Sequence, residues 1–429
     1  MLSHFNDIME GLVSGRDTDA IYLDYAKAFD KVDHSLLLAK LQKYGFSPQF
    51  ISWTKSFLTN RPQSVVLDGV HSYVSSMISG VPQGTVLGPI LFIIFINDME
   101  HCIQHSVVRF FADDSRVSKQ ISCEQDTELL QQDLDNIIKW SIANNMLVHE
   151  DKFELIIHKH KLRSAIYELP FISDLMTYTL PNGKSISPVE TLRDLGVAIS
   201  SDLSWHIHIS AIVKCARSVA SWVLSAFKAR DSTTMMTLYK SLVRCYLEYC
   251  CPLWHPSSIE DIKLLEGVQR TFTSKIHGVQ HLNYWQRLHA LGLMSLQRRR
   301  ERYIIIQMWK ILHNKCPNDV KVQFNAPNRH GTTAKIPSLI RHSSQHNQKL
   351  YDSSFAVMGP KLWNCLPSHL SKIAVLADFK HALTKFLLTF PDTPPTNGYV
   401  AANNNSVLDW CKNKAESQLQ GRLQHVMTQ

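Results

Sequence analysis

The sequence lacks any uninterrupted apolar run of the ~18–20 residues that a membrane-spanning helix needs. Its longest apolar run, residues 86–96, is broken by Gly88 and Pro89. The N-terminus, Met1 to Phe5, lacks the charged and then apolar order of a secretory signal. The nine cysteines form no paired framework, which suits a reducing compartment. We therefore expect an intracellular protein, in the nucleus or the cytoplasm, that is neither secreted nor bound to a membrane.

The charge is unevenly distributed along the chain. The 429 residues are 45% hydrophobic and 19% charged, which is enough apolar surface for two or three globular domains. Residues 1–204 contain 17 Lys and Arg against 25 Asp and Glu, a net charge of −8, whereas residues 205–429 contain 28 against 12, a net charge of +16. An acidic part that holds cations, joined to a basic part that holds phosphates, suits an enzyme of nucleic acids.

Hydrophobic periodicity predicts mixed strands and helices up to about residue 204 and mainly helices after it, which is an α+β unit followed by a helical one. In the first part we expect strands over 20–23 and 153–157, a hairpin around Asp68-Gly69, a hairpin of 176–180 with 195–199, and helices over 36–44, 48–58, 89–99 and 124–145. In the second part we expect helices over 205–227, 233–249, 258–276 and 297–313.

The stretch Phe111-Ala112-Asp113-Asp114 lies between two short apolar runs and predicts a hairpin with adjacent carboxylates at its tip. Neighbouring carboxylates repel each other and are costly to desolvate, so they are stable in water or on a cation. Such a pair taken alone is more often a solvated turn. A third carboxylate, Asp24, ends the apolar run 20–23, and hard oxygen ligands of this kind suit Mg²⁺.

Three motifs stand in the order of the palm motifs of reverse transcriptases: Leu23 to Asp30, Gly80 to Gly84, and Phe111 to Asp114. The chain most closely resembles the non-LTR (LINE-type, jockey-like) retrotransposon group, over roughly residues 15–390. Further matches are residues 145–152, similar to the fourth palm motif, residues 195–205, similar to the primer grip, and two later stretches, 284–299 and 361–367.

The resemblance implies a right-hand polymerase: residues 1–204 would be a palm with partial fingers, 205–315 a basic helical thumb, 316–390 a family-specific region, and 391–429 a linker and tail. It implies an RNA-directed DNA polymerase that adds dNTPs to a DNA primer on an RNA template with two Mg²⁺ ions, Mn²⁺ being possible. The implied metal ligands are Asp24, the backbone of Tyr25, Asp113 and Asp114. The implied contacts to nucleotide and template are Phe29, Gln83, Gly84 and Lys152, and the implied contacts to the nucleic-acid backbone are Arg298, Arg299, Arg300 and Arg302.

The chain begins just before the first palm motif, whereas family members carry fingers and an endonuclease upstream. We therefore expect an N-terminally truncated polymerase whose activity is impaired in this isolated chain. The alternative is a catalytically inactive relic that binds RNA or an RNA–DNA hybrid. A group II intron maturase is a second alternative, which the jockey-like C-terminal motifs disfavour.

Overall fold

The computed structural model describes residues 1–159, 177–256, 258–316, 351–389 and 406–408. The chain divides into two compact units: one is Gly15–Leu192, and the other combines Met1–Ser14 with Arg193–Gln429. Strands and helices are mixed in the first unit and helices dominate the second, which agrees with the predicted α+β class. The first unit ends before residue 204, and the N-terminal helix belongs to the second unit. The finer predicted divisions at 315 and 390 stay predictions.

The first unit is built on a four-stranded antiparallel sheet with the order β6-β7-β1-β8. The strands of this unit are, in chain order, β1 (Asp17–Leu23), β2 (Pro62–Gln63), β3 (Val66–Leu67), β4 (Val70–His71), β5 (Ser75–Ser76), β6 (Val107–Phe111), β7 (Asp114–Ile121) and β8 (Glu154–His158). Ile21 of β1 pairs with Val117 on one side and Leu155 on the other. β1 is paired on both edges, and its second half is the predicted apolar run Ala20 to Leu23, whereas its first half buries Asp17, Thr18 and Asp19.

The helices within the described residues are, in order, α1 (Leu2–Val13), α2 (Ala28–Lys31), α3 (His34–Lys43), α4 (Pro48–Leu58), α5 (Leu87–Ile96), α6 (Glu124–Ala143), α7 (His206–Ala226), α8 (Ser232–Leu238), α9 (Arg244–Glu248), α10 (Ile259–Thr273), α11 (Tyr284–Ala290), α12 (Leu296–Leu312), α13 (Phe355–Asn364), α14 (Ser368–Ser371) and α15 (Leu376–Leu388). Short 3₁₀ turns cover Asn97–Cys102 and Glu150–Lys152, and a π turn covers Tyr239–Val243.

Local chemistry sets the ends of the helices that precede the site. The Asp33 carboxylate accepts a hydrogen bond from the Leu36 amide at 3.0 Å and so caps α3. The Ser47 hydroxyl accepts one from the Phe50 amide at 3.3 Å, with proline in the first turn of α4, as the sequence predicts. Leu37, Phe92 and Leu134 of α3, α5 and α6 are buried in one core with the sheet.

The second unit has its own core, in which Ile304 and Trp309 of α12 pack with Phe379 and Leu383 of α15. Val407, from the short described segment 406–408, is buried in the same core. The four predicted helices of this region are present, although the π turn divides the one predicted over 233–249. The predicted linker, residues 391–405, lies outside the described residues.

One predicted hairpin is wrong. Strand β10 (Val197–Ser200) pairs with β9 (Thr191–Asp194), and not with residues 176–180. Residues 179 and 185 instead form an isolated bridge around the Asn182-Gly183 turn, while Met176 lies outside the described residues. Because turn residues occur both at 181–184 and at Leu195-Gly196, the sequence pattern offered two hairpins and left the pairing of the second strand open.

Among the described residues, helix α7 (His206–Ala226) is long and apolar enough, by length and composition, to cross a membrane. It contains no uninterrupted apolar run of that length, because Lys214 and Arg217 divide it. Ile209, Val213 and Val223 on one face are buried within the second unit. Core helices of globular proteins pass the same test, so this helix is weak evidence for membrane insertion.

Candidate active site

Two adjacent carboxylates lie at the tip of the β6–β7 hairpin, as predicted. Phe111 pairs with Asp114, so that Ala112 and Asp113 form a two-residue turn between the strands. Ala112 has a φ of 55°, a left-handed conformation that costs a residue with a side chain about 1 kcal/mol or more. The surrounding strands therefore hold the tip in a conformation that its sequence does not favour.

The third carboxylate follows the strand next to this hairpin. β1 pairs with β7 in antiparallel register, with Leu23 opposite Ser115, so Asp24 emerges at the same end of the sheet as the hairpin tip. Burial, followed by the charges of Asp113 and Asp24, raises the pKa of Asp114. The three carboxylates thus act on one another electrostatically, although they come from parts of the chain about 90 residues apart.

A lysine ammonium group balances part of this negative charge. Nζ of Lys152 lies 2.5 Å from Oδ2 of Asp24, and the charge of Asp24 raises the pKa of Lys152. The backbone holds the two segments together, because the His149 amide donates to the Asp24 carbonyl at 2.9 Å and the Ala26 amide donates to the Leu147 carbonyl at 3.2 Å. The segment that contains Lys152 is therefore fixed along the end of β1.

These carboxylates are a donor set for a hard divalent cation. Within the ranges that the structure describes, no three His, Cys, Asp or Glu side chains come together as a metal site. Carboxylate oxygens of this kind suit Mg²⁺ or Mn²⁺. Asp24 would exchange the Lys152 ammonium for the ion.

A glycine loop is tied to the segment that follows Asp24. The Gly80 amide donates to the Val32 carbonyl at 2.7 Å, and the Val81 amide donates to the Phe29 carbonyl at 2.9 Å. Gly80 has a φ of 90°, and a Cβ atom there would lie 2.8 Å from Cα of Asp30. Only glycine allows this approach of two backbones. The side-chain amide of Gln83 donates to Oδ1 of Asp30 at 3.0 Å, so it too lies on this segment.

The aromatic residues of the first motif point into the unit. Phe29 stacks on Phe92 with ring centres 4.2 Å apart and is only partly exposed. Tyr25 is buried, and its hydroxyl donates to Sδ of Met99 at 2.9 Å. Gly84, by contrast, is exposed and has open space where a side chain would be.

The predicted phosphate contact is wrong for Arg298 and Arg300, which are buried, and stays a prediction for Arg302, which is partly exposed. Arg298 and Arg300 are 2% and 0% exposed, so their guanidinium groups lie inside the second unit and are closed to a phosphate backbone. Arg299 pairs with the Glu248 carboxylate, and Arg302 donates to the Thr384 hydroxyl at 3.0 Å. The four arginines near the start of α12 are typical of a solvated surface. The helix is instead covered on several sides, and these arginines are buried or have partners within the protein.

Sequence reasoning named Lys152 but assigned it no partner. It also missed the bond from Nδ2 of Asn145 to Oδ2 of Asp33 at 3.2 Å, which anchors the start of the same segment. Asn145 has a φ of 55°, and asparagine tolerates that conformation better than most residues. The Asn-Asn pair after α6 was a signal for a helix end, and the longer-range contact had no local signal.

The chain is similar to several known proteins. Residues 12–197 match the family model described as "Reverse transcriptase (RNA-dependent DNA polymerase)". The chain is 28% identical over 286 residues to the RNA-directed DNA polymerase from mobile element jockey of Drosophila funebris, covering 64% of this chain and 30% of that protein. It is 25% identical over 285 residues to the probable RNA-directed DNA polymerase from transposon X-element of Drosophila melanogaster, again 64% of this chain and 30% of that protein.

A solved structure of telomerase from Candida albicans, in complex with a fragment of telomeric RNA, aligns with a TM-score of 0.41 and 12% identity, covering 69% of this chain and 48% of that chain. The chain spans about 30% of the length of the jockey and X-element proteins, the curated relatives described above.

Proposed function

We propose that this chain, which carries a reverse transcriptase domain over residues 12–197 and is homologous to the jockey and X-element polymerases of non-LTR retrotransposons, copies RNA into DNA. One observation carries the proposal: the end of β1 and the tip of the β6–β7 hairpin place Asp24, Asp113 and Asp114 at one end of the sheet. A carboxylate cluster beside open solvent suits phosphoryl transfer, which needs mainly positioning and neutralisation of charge.

Asp24, Asp113 and Asp114 would hold two Mg²⁺ ions, with the carbonyl of Tyr25 as a further ligand. When bound, the ions neutralise charge on the attacking 3′ oxygen and on the leaving pyrophosphate. The carboxylates act as ligands and not as acids. The backbone bonds from His149 and Ala26 fix the strand end on which Asp24 stands, so this chain supplies a pre-positioned ligand.

The nucleotide would lie against Phe29, with Gln83 and Gly84 along the templating base. The stack of Phe29 on Phe92 fixes the ring, which supports a role in excluding a ribose 2′-OH by size. Lys152, once released from Asp24, would approach the triphosphate. In this proposal the sheet unit is the palm and the basic helical unit is the thumb, which grips the template–primer duplex by its backbone.

The test is extension of a DNA primer on an RNA template with dNTPs and Mg²⁺. We expect extension by the wild-type chain that requires the divalent ion, and a loss of at least a hundredfold in Asp113→Asn, which keeps the size of the side chain and removes its charge. The proposal is contradicted if Asp113→Asn is as stable as wild type and extends the primer equally well. It is also contradicted if the wild-type chain does not extend the primer.

A further inference from the structure

Helix α4 and the residue Phe46 that precedes it present a series of aromatic rings. Phe46 and Phe50 have ring centres 5.1 Å apart and planes within 24°, Phe50 and Trp53 are 6.0 Å apart, and Trp53 and Phe57 are 5.7 Å apart with planes within 14°. The guanidinium of Arg61 lies 5.2 Å from the centre of the Phe57 ring. We call the four rings the aromatic face.

Two rings of the aromatic face pack against the core, and the other two are exposed to solvent. Phe50 and Phe57 are partly buried and pack against the core of the sheet unit. Trp53 and Phe46 are 54% and 37% exposed. The spacing of Phe50, Trp53 and Phe57 follows one side of a helix, so a rigid element holds the rings in line. A contiguous group of exposed rings, unlike a single exposed ring, marks an interaction surface, because rings bury large apolar areas when covered.

The segment of sequence that carries the aromatic face has charge of one sign. Residues 34–67 contain no Asp or Glu, whereas residues 15–192 as a whole contain 16 Lys and Arg against 21 Asp and Glu. Lys43, Lys55 and Arg61 are exposed in this segment. The aromatic face is therefore a locally basic surface on an acidic unit. That combination favours a polyanion with flat apolar groups over an apolar or a basic protein partner.

We propose that the aromatic face binds single-stranded nucleic acid, with bases stacked on the rings of Trp53 and Phe46 and a phosphate near Arg61, whose guanidinium lies against the Phe57 ring. Stacking uses the flat face that every base presents, so binding is tolerant of sequence. A duplex hides those faces, so the surface discriminates single strands from double strands. The proposal goes beyond polymerase activity, because it requires neither the carboxylates nor a divalent ion.

The experiment measures binding of a fluorescein-labelled U12 RNA to the full chain in EDTA, by anisotropy, against a 12-base-pair RNA duplex. We expect Trp53→Ala to weaken U12 binding between about 5- and 150-fold, the range for one stacked base, while Trp53→Phe keeps most of the affinity. The matched control is Trp222→Ala, which removes a tryptophan of similar exposure, 60%, from α7. Arg61→Gln should lower the salt dependence of binding by one phosphate contact, a change of about 0.7 in slope.

The proposal is overturned if wild type does not bind U12, if Trp53→Ala weakens U12 no more than Trp222→Ala does, or if duplex binding falls equally. It is also overturned if Trp53→Ala abolishes self-association in light scattering while U12 affinity stays unchanged, since the face would then be a protein contact. Repeating the titration with Asp113→Asn separates it from polymerase function, because U12 affinity should be unaffected there.

Discussion

The ammonium of Lys152 lies 2.5 Å from Oδ2 of Asp24, where a cation is needed and where the proposed metal ion would bind. Both side chains are partly exposed, 55% and 33%, so the pair is screened by solvent and individually weak. We propose that the lysine serves as an exchangeable counter-ion, which an incoming metal ion would displace from Asp24.

Removing this counter-ion should strengthen divalent-cation binding in the absence of nucleotide. We expect Lys152→Met to bind Mn²⁺ a few-fold more tightly than wild type in a titration followed by electron paramagnetic resonance, because the ion no longer competes with the ammonium. Lys184→Met is the matched control, since Lys184 is an exposed lysine that pairs with Asp151 at 2.6 Å and not with Asp24. Equal affinities for all three proteins would show that no competition exists.

Alanine substitutions at two loop glycines distinguish the cost of backbone strain from the cost of a steric clash. Gly84→Ala should lower the free energy of unfolding by about 1–2 kcal/mol, since its φ is 78° but no heavy atom lies within 4 Å of the new Cβ. Gly80→Ala adds a clash with the Asp30 backbone and should cost roughly 3 kcal/mol or more. Urea unfolding followed by tryptophan fluorescence compares them, and equal losses would disprove the close approach of the two backbones.

Because Arg299 pairs with Glu248 inside the protein, its replacement should lower the stability of the fold without weakening nucleic-acid binding. Arg299→Ala removes the two-point guanidinium contact to the Glu248 carboxylate, which keeps Nε of Arg244 at 3.5 Å and the Tyr303 hydroxyl at 3.1 Å. Because hydrogen bonds to a charged group are worth about 1.5–3 kcal/mol, we expect a loss of that size. Arg302→Ala removes a single bond to Thr384 on a more exposed side chain and should cost about 1 kcal/mol. Thermal unfolding measures both. An unchanged melting temperature for Arg299→Ala, with weakened RNA binding, would restore the phosphate role.

Glu301 should impose a pH dependence on the second unit. Burial raises the pKa of this fully enclosed carboxyl from 4.5 to about 7, although the Val407 amide donates to it at 2.8 Å. The unfolded chain releases the proton near pH 4.5 and the folded chain only near pH 7. The free energy of unfolding therefore falls by about 3 kcal/mol as the pH rises between those values.

Comparison of wild type with Glu301→Gln isolates this contribution. Burial lowers the pKa of His208 to about 4 and that of His255 to about 3, and these groups give the opposite slope as the pH falls below 6.5. Both proteins contain these histidines. Subtracting their free energies of unfolding, measured with urea at pH 5 and at pH 7.5, therefore cancels the histidine contribution. We expect the variant to gain in stability relative to wild type at the higher pH, and a constant difference would refute the assignment.

Phe29 should decide which sugar the polymerase accepts. Replacing the ring by Val removes the bulk proposed to meet a 2′-OH, while Phe92 beneath it still closes the core. We expect the preference for dNTP over rNTP, measured as the ratio of kcat/KM values, to fall by roughly ten- to a hundredfold. If the ratio is unchanged while extension persists, Phe29 is a core residue and another group excludes ribose.

The sequence by itself determined the elements that local chemistry controls. The apolar run before Asp24 and the Asp33 and Ser47 caps each act within a few residues, so strand β1 and helices α3 and α4 were predictable. The order of the three motifs also predicted the meeting of Asp24 with Asp113 and Asp114. The structure confirmed that hairpin β6–β7 and strand β1 end together.

Tertiary structure alone decided which charged groups are partnered and which are buried. Lys152 reaches Asp24 across 128 positions of sequence, and Arg300 is fully buried although it lies in a run of basic residues. The strand 197–200 pairs with 191–194. Hydrophobic periodicity could not predict this partner, because it shows which side of a strand is buried and not which strand lies beside it. Burial and long-range pairing arise from packing between elements, and hydrophobic spacing records only the side of each element that is covered.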